Sequence, residues 1–229
     1  DLRMWDTQAA ALQSDWRVIR YDNRGHGESQ APSGTCTLEQ YGRDLLALLD
    51  TLKIERAHLC GLSLGGMIVQ WFAIHYPART RSITLANTAA RIGSEAIWDA
   101  RVAAVQSGGL AAIREAALKR FLSEGYRQEH PAVTQQIGEM LLHCDQQGYI
   151  AACLVLRSAD LRPLLSRIQA PALILGSELD ESTPPAQARE LHAALPGSQL
   201  AIFPATAHLS NIEQPAAFSA CLRAFLQRV

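Results

Sequence analysis

Gly61-Leu62-Ser63-Leu64-Gly65-Gly66 follows the apolar run Ala57-His58-Leu59-Cys60 and leads directly into Met67-Ile68-Val69-Gln70-Trp71-Phe72. A serine flanked by glycine at i−2 and i+2 therefore stands at a strand-to-helix junction. Such a junction holds the serine backbone in a strained conformation, and glycines leave room for the chain to turn sharply beside it. The hydroxyl is then presented at the carboxyl end of a sheet and on the positive end of a helix. The hexapeptide reads as a nucleophile turn, which implies an α/β fold and serine-based hydrolysis.

Working outward, Met4 to Gln13 reads as a short helix, Trp16 to Tyr21 as a strand, and Asp22 to Gly34 as a polar, glycine-rich loop. Thr37, with Glu39 and Gln40 after it, caps a helix carrying Tyr41, Leu45, Leu48, Leu49 and Leu52. Arg56 to Gly61 forms the nucleophile strand, its helix runs from Leu64 to Tyr76 ahead of Pro77, and Ser82 to Ala86 is the next strand. Short buried strands alternating with helices indicate a mostly parallel sheet. From Arg91 to Arg167 the strand-like runs vanish and four helical stretches take over, near 94–106, 110–122, 132–144 and 149–157. The strand pattern returns at Pro171 to Gly176 and at Gln199 to Phe203, with helices over Pro185 to Leu195 and Pro215 to Gln227. The expected organisation is an α/β core over residues 1–90 and 168–229, interrupted by an all-helical cap over 91–167.

A serine hydroxyl is a weak nucleophile until a base takes its proton, and catalytic groups in such sheets gather at the carboxyl ends of strands. Of seven histidines, His208 follows the final strand and is the expected base. His58, His75 and His192 fall inside elements, and His130 and His143 in the helical insertion. Asp180 follows the Ala172–Leu175 strand and is the expected orienting acid, with Glu178 and Glu181 as neighbours that could claim the role. The backbone N–H of Leu64 is one expected oxyanion donor. A second donor is expected from residues ahead of Asp1, together with a strand lying between Trp16–Tyr21 and Arg56–Cys60. The opening Asp1-Leu2-Arg3 is accordingly read as an N-terminal truncation. Asp22-Asn23-Arg24-Gly25-His26-Gly27-Glu28-Ser29 lacks the third glycine of a dinucleotide fingerprint, because Gln30 stands there. It reads as a structural loop in which Arg24 and His26 bond internally. No cofactor is expected, and no histidine, cysteine and carboxylate spacing suggests a metal.

The composition agrees. The chain has 229 residues, 48% hydrophobic and 19% charged, with formal net charge −1. Without a strong field, nucleic acid and acidic membranes are poor candidates for partners. No apolar run approaches the roughly 20 residues of a membrane span. Cys36, Cys60, Cys144, Cys153 and Cys221 are odd in number without a close pair, which favours reduced thiols and a cytoplasmic setting.

Asp22-x-Arg24-Gly25-His26-Gly27-x-Ser29, the turn at Gly61–Gly66, Asp180 before Thr183-Pro184, and Ala207-His208 before Glu213-Gln214-Pro215 together resemble the α/β-hydrolase superfamily. The chain order Ser63, Asp180, His208 is the order that superfamily uses. Asp1-Leu2-Arg3-Met4-Trp5-Asp6, Asn87 to Gly93 with Trp98 and Arg101, and His208 to Pro215 more narrowly resemble the 3-oxoadipate enol-lactonases. That resemblance implies cytoplasmic opening of an enol-lactone to 3-oxoadipate in protocatechuate and catechol breakdown. It also implies a small lactone substrate bearing a carboxylate, for which Arg91, Trp98, Arg101 and Arg162 are the candidate contacts. Two other readings stay open: a general carboxylesterase, perhydrolase or carbon–carbon bond hydrolase of the same fold, and a non-catalytic binding protein. The exact substrate, the pathway branch and the oligomeric state are not legible.

Overall fold

The computed structural model describes residues 1–31 and 34–229. Four parallel strands form one sheet in the order β1 (Ala57–Leu62), β2 (Thr80–Ala86), β3 (Ala172–Ser177), β4 (Gln199–Phe203). Leu59 pairs with Ile83, Ile83 with Ala172, and Leu175 with Ala201. Alternation along these strands supplies two apolar faces. Ile83, Leu85, Ala172 and Ile174 join one buried cluster with Tyr41, Met67 and Phe72. Ala86, Leu173 and Leu175 join another with Leu12, Phe218, Leu222 and Phe225. The helices α2 (Leu38–Thr51), α3 (Leu64–His75) and α9 (Pro185–Ala194) therefore contribute to the first cluster, and α1 (Asp6–Leu12) and α11 (Pro215–Leu226) to the second. Strands buried on both faces explain the near-continuous apolar runs of the sequence.

Local signals set the helix ends. Thr37 accepts from the Gln40 N–H while Gln40 reaches back to the Thr37 N–H, closing a capping box at the start of α2. Pro185 and Pro215 each occupy the first turn of their helix, where a missing N–H costs nothing. Between β2 and β3 come α4 (Glu95–Gly108), α5 (Arg114–Phe121), α6 (Glu124–Glu129), α7 (Pro131–Leu142) and α8 (Gln146–Ser158). The sequence pattern assigns no helix to α6, which falls between the stretches 110–122 and 132–144. Ser123 caps it by accepting from the Tyr126 N–H, and with Tyr126 as its one large apolar side chain it offers no stripe to read. A further short helix, α10 (Ser210–Glu213), follows β4.

One expected strand is not formed. Residues 17–21 join no backbone–backbone hydrogen bond and carry no strand assignment. A strand exists by pairing, and across from this stretch lies a cavity of about 870 Å³, lined on one side by Arg17, Val18 and Ile19 and on the other by His58, Leu59 and Cys60. Val18 and Ile19 stay 37% and 38% exposed, far more than the residues of the paired, buried strand β3. β1 is thereby an edge of the sheet.

The loop after this stretch is held by side chains. Asp22 accepts from the Leu2 N–H at 2.6 Å and the Glu28 N–H at 3.1 Å, and Arg24 forms a two-pronged pair with Asp44 at 2.6 Å on each prong. His26 Nδ1 lies 3.1 Å from the Arg24 carbonyl. This is the internal bonding expected of it.

Gly42 is where α2 meets α3 most closely: a Cβ there would stand 2.0 Å from Trp71 Cε3. Gly42→Ala should destabilise the fold by about 1–3 kcal/mol through overpacking, lowering the melting temperature by several degrees in a calorimetric scan. An unchanged melting temperature would show that the two helices separate without cost.

Candidate active site

Ser63 directly follows β1 and caps α3 with φ 55° and ψ −117°, a conformation that costs a non-glycine residue about 1–3 kcal/mol. The surroundings enforce it. The Ser63 N–H donates to the Ala86 carbonyl at 3.0 Å, and its own carbonyl accepts from the Met67 N–H at 3.1 Å and Thr88 Oγ1 at 2.7 Å. A Cβ at position 61 would stand 2.2 Å from the Gly65 carbonyl oxygen, and one at position 66 would strike the Thr88 side chain at 2.5 Å. Gly65 differs: nothing lies within 4 Å of its Cβ position. The tight approach thus requires glycine at 61 and 66, whereas Gly65 opens onto the cavity.

Asp180 and His208 are each only 3% exposed. His208 Nδ1 lies 2.8 Å from Asp180 Oδ2. The same oxygen accepts from Thr183 Oγ1 at 2.7 Å and Asn87 Nδ2 at 2.9 Å, while Oδ1 accepts from the Ser182 and Thr183 N–H groups at 2.8 and 3.0 Å. Burial by itself would raise the Asp180 pKa. The His208 hydrogen bond and charge, with the Thr183 and Asn87 donors, outweigh burial and hold it below the ordinary carboxylate value. With Nδ1 committed to Asp180, Nε2 is the nitrogen left to take a proton. His208 and Ser63 line the same 870 Å³ cavity, and no direct hydrogen bond joins their side chains among the described residues. Bonds of this kind are often long in the free state and tighten around substrate.

The wider support reaches back into the helical segment. Asn87, positioned by Ser177 Oγ at 2.9 Å and Ser210 Oγ at 2.5 Å, links the ends of β2 and β3 to α10. Phe121 stacks on His208 with centroids 6.1 Å apart, and its carbonyl accepts from the Leu209 N–H at 2.9 Å. Glu213 accepts from the Ala207 N–H at 2.9 Å, the Ser123 N–H at 3.1 Å and Ser123 Oγ at 2.5 Å, tying the His208 loop to the start of α6. Leu64 is the first residue of α3 and lines the cavity, so its N–H belongs to the unpaired first turn of that helix.

Glu178 and four of the other histidines are engaged elsewhere. Glu178 is exposed and accepts from the Ala205 N–H at 3.0 Å, and Glu181 is exposed. His58, His75, His143 and His192 each meet a partner on their own or a neighbouring element. The candidate substrate contacts divide. Trp98 and Arg101 line the cavity with Ser63, whereas Arg91 and Arg162 line a separate pocket of about 530 Å³ and share Asp160, at 3.5 and 2.5 Å. The Arg162 hydrogen bond, working against burial, lowers the Asp160 pKa to about 2. Asn87, Thr88 and Phe121 were not among the expected site residues. A polar Asn-Thr pair immediately after a buried strand was the available signal.

A serine at a strained strand end, a histidine oriented by a buried carboxylate and a helix N-terminus beside them compose the constellation of acyl transfer. The chain belongs to the α/β-hydrolase family: residues 1–106 match the family model described as alpha/beta hydrolase fold, and residues 131–228 match one described as TAP-like protein. Within that family it is similar to 3-oxoadipate enol-lactonase 2 of Acinetobacter baylyi, 39% identical over 100% of this chain and 85% of that protein. The crystal structure of the enol-lactonase from Burkholderia xenovorans superimposes with a TM-score of 0.97 at 41% identity, covering 99% of this chain and 87% of that one. A thermophilic esterase from Thermogutta terrifontis superimposes at 0.94 with 31% identity, over 100% of this chain and 86% of that one.

Because the folded pKa of Asp180 is lowered, the stability it supplies is complete above about pH 4 and is lost as pH falls through the folded value. Denaturant midpoints measured from pH 5 to pH 2 should fall less steeply in Asp180→Asn than in the parent. Identical slopes would mean that Asp180 is not held as a carboxylate.

Proposed function

We propose that this protein is a serine hydrolase that opens the ring of 3-oxoadipate enol-lactone, giving 3-oxoadipate in aromatic catabolism. The observation that carries the chemistry is the buried Asp180–His208 pair at 2.8 Å, sharing a cavity with the strained Ser63. Whole-length similarity to enol-lactonases supports the substrate.

In this reading His208 Nε2 takes the Ser63 proton as Oγ attacks the lactone carbonyl. The Leu64 N–H stabilises the developing oxyanion. Collapse breaks the ring carbon–oxygen bond; the enolate departs and takes the proton held by His208 to become the ketone, still tethered as the acyl group on Ser63. Water, deprotonated by His208, then releases the dicarboxylate and restores the hydroxyl. Trp98 and Arg101 are assigned to the substrate, and Arg91 and Arg162, engaged with Asp160, are set aside. Free thiols at all five cysteines support a reducing, cytoplasmic setting. The esterase reading retains support from the Thermogutta terrifontis likeness.

Turnover of the enol-lactone should exceed that of p-nitrophenyl acetate by orders of magnitude, and Ser63→Ala should remove about three or more orders with the circular dichroism spectrum unchanged. Equal turnover of lactone and simple ester would favour the esterase. Unchanged turnover in Ser63→Ala would sink both.

A further inference from the structure

Asn87 stands one residue past β2 with φ 41°, in the left-handed region that asparagine and glycine adopt more readily than other residues. It is 1% exposed, and its backbone N–H donates to the Leu175 carbonyl at 2.7 Å. The side-chain amide is fully engaged. Nδ2 donates to Asp180 Oδ2 and to Ser177 Oγ, each at 2.9 Å, and Oδ1 accepts from Ser210 Oγ at 2.5 Å. Charge fixes this orientation, because the reverse would set the amide oxygen against a carboxylate. Ser177 ends β3 just ahead of Asp180, and Ser210 opens α10 just after His208. One amide therefore holds both the segment that carries the acid and the segment that carries the base. Asn87 is not on the cavity wall.

An ionised carboxylate has about four lone-pair sites, and Asp180 takes five donors. Three of them, from His208, Thr183 and Asn87, converge on Oδ2. Two already meet the desolvation of that oxygen, so the third is not required to make burial tolerable. What it does is confine, occupying part of Oδ2 and narrowing the approach left to the imidazole. Glu178 and Glu181 beside Asp180, Glu213 on α10, Arg120 on α5, and Arg101 and Tyr149 in the cavity are the charged and titratable groups of the surrounding elements. Among the described residues none of their side chains bonds to Asp180, His208 or Asn87. A polar network kept for stability alone leaves unexplained why its central residue sits in a strained backbone region, which is more often found where function requires it.

We propose that Asn87 is a positioning residue, a clamp whose donor arm fixes Asp180 Oδ2 and whose acceptor arm fixes the His208 loop, so that Nε2 is presented to the cavity. The assignment rests on the proposed hydrolase reading and adds to it a residue that meets no substrate.

Asn87→Gly removes both arms without backbone strain. Asn87→Asp keeps the acceptor for Ser210 while setting a second carboxylate against Asp180. Labelling of Ser63 by a fluorophosphonate should slow by about 10- to 100-fold in each variant. Enol-lactone turnover should lose the same factor in kcat, with KM changed by less than about twofold. In Asn87→Asp the deficit should shrink as pH is lowered from about 8 to about 6, since adjoining carboxylates share one proton and the protonated group donates again. In Asn87→Gly it should stay constant. The low-field proton resonance of His208 Nδ1–H, read by NMR, should move in both variants. A lowered melting temperature with labelling rate and resonance unchanged would mark a purely structural role and overturn the proposal, as would the same pH response in both variants. Slowed labelling in a protein that does not open the enol-lactone upholds the clamp and rejects only that substrate. If the parent takes no label, the hydrolase reading falls, and the resonance alone decides for or against the clamp.

Discussion

The buried Asp180 carboxylate is the group on which the candidate site depends. It accepts five hydrogen bonds, from the backbone of Ser182 and Thr183 and the side chains of Thr183, Asn87 and His208. Those donors lie on the chain segments that follow β2, β3 and β4, so one charge draws three strand ends to a common point. An ionised carboxylate so deeply buried is tolerable only while all of its donors are in place. Position of the imidazole and cohesion of the sheet's carboxyl edge are therefore coupled, and loosening one loosens the other.

Around that point the sheet behaves as a rigid platform. Strands whose alternate side chains enter two separate apolar clusters cannot slip by one residue without exchanging faces. The helical segment is less independent than its sequence suggests. Glu213 bridges to Ser123, and Phe121 both stacks on His208 and accepts from Leu209. Movement of α5 or α6 would be transmitted to the imidazole through these contacts.

Much of this was legible before any coordinates. The helix start at Thr37 and the helices opened by the prolines at 185 and 215 follow from local chemistry that needs no partner elsewhere in the chain. Ser63 announced itself because a strained turn leaves a glycine signature, though the structure moves part of the steric demand from Gly65 to Gly66. Trp16–Tyr21 has a strand's composition but lacks a neighbour to pair with, and pairing is a property of the sheet and not of the segment. Arg91 and Arg101 are equally basic in sequence, yet one meets Asp160 and the other meets none among the described residues.

Among the described residues no strand pairs with the outer side of β1, and that side is chemically unguarded. Ala57–Leu62 carries no proline and no lysine, arginine or carboxylate to blunt it, and its outer backbone groups face a wide apolar cleft. Such a flank is a template for any extended peptide of matching hydrophobicity, including the same stretch of another copy. Cys60 sits on this flank, an exposed residue whose thiol desolvation nonetheless pushes up to about 12, so it stays a protonated, slow-reacting group at neutral pH.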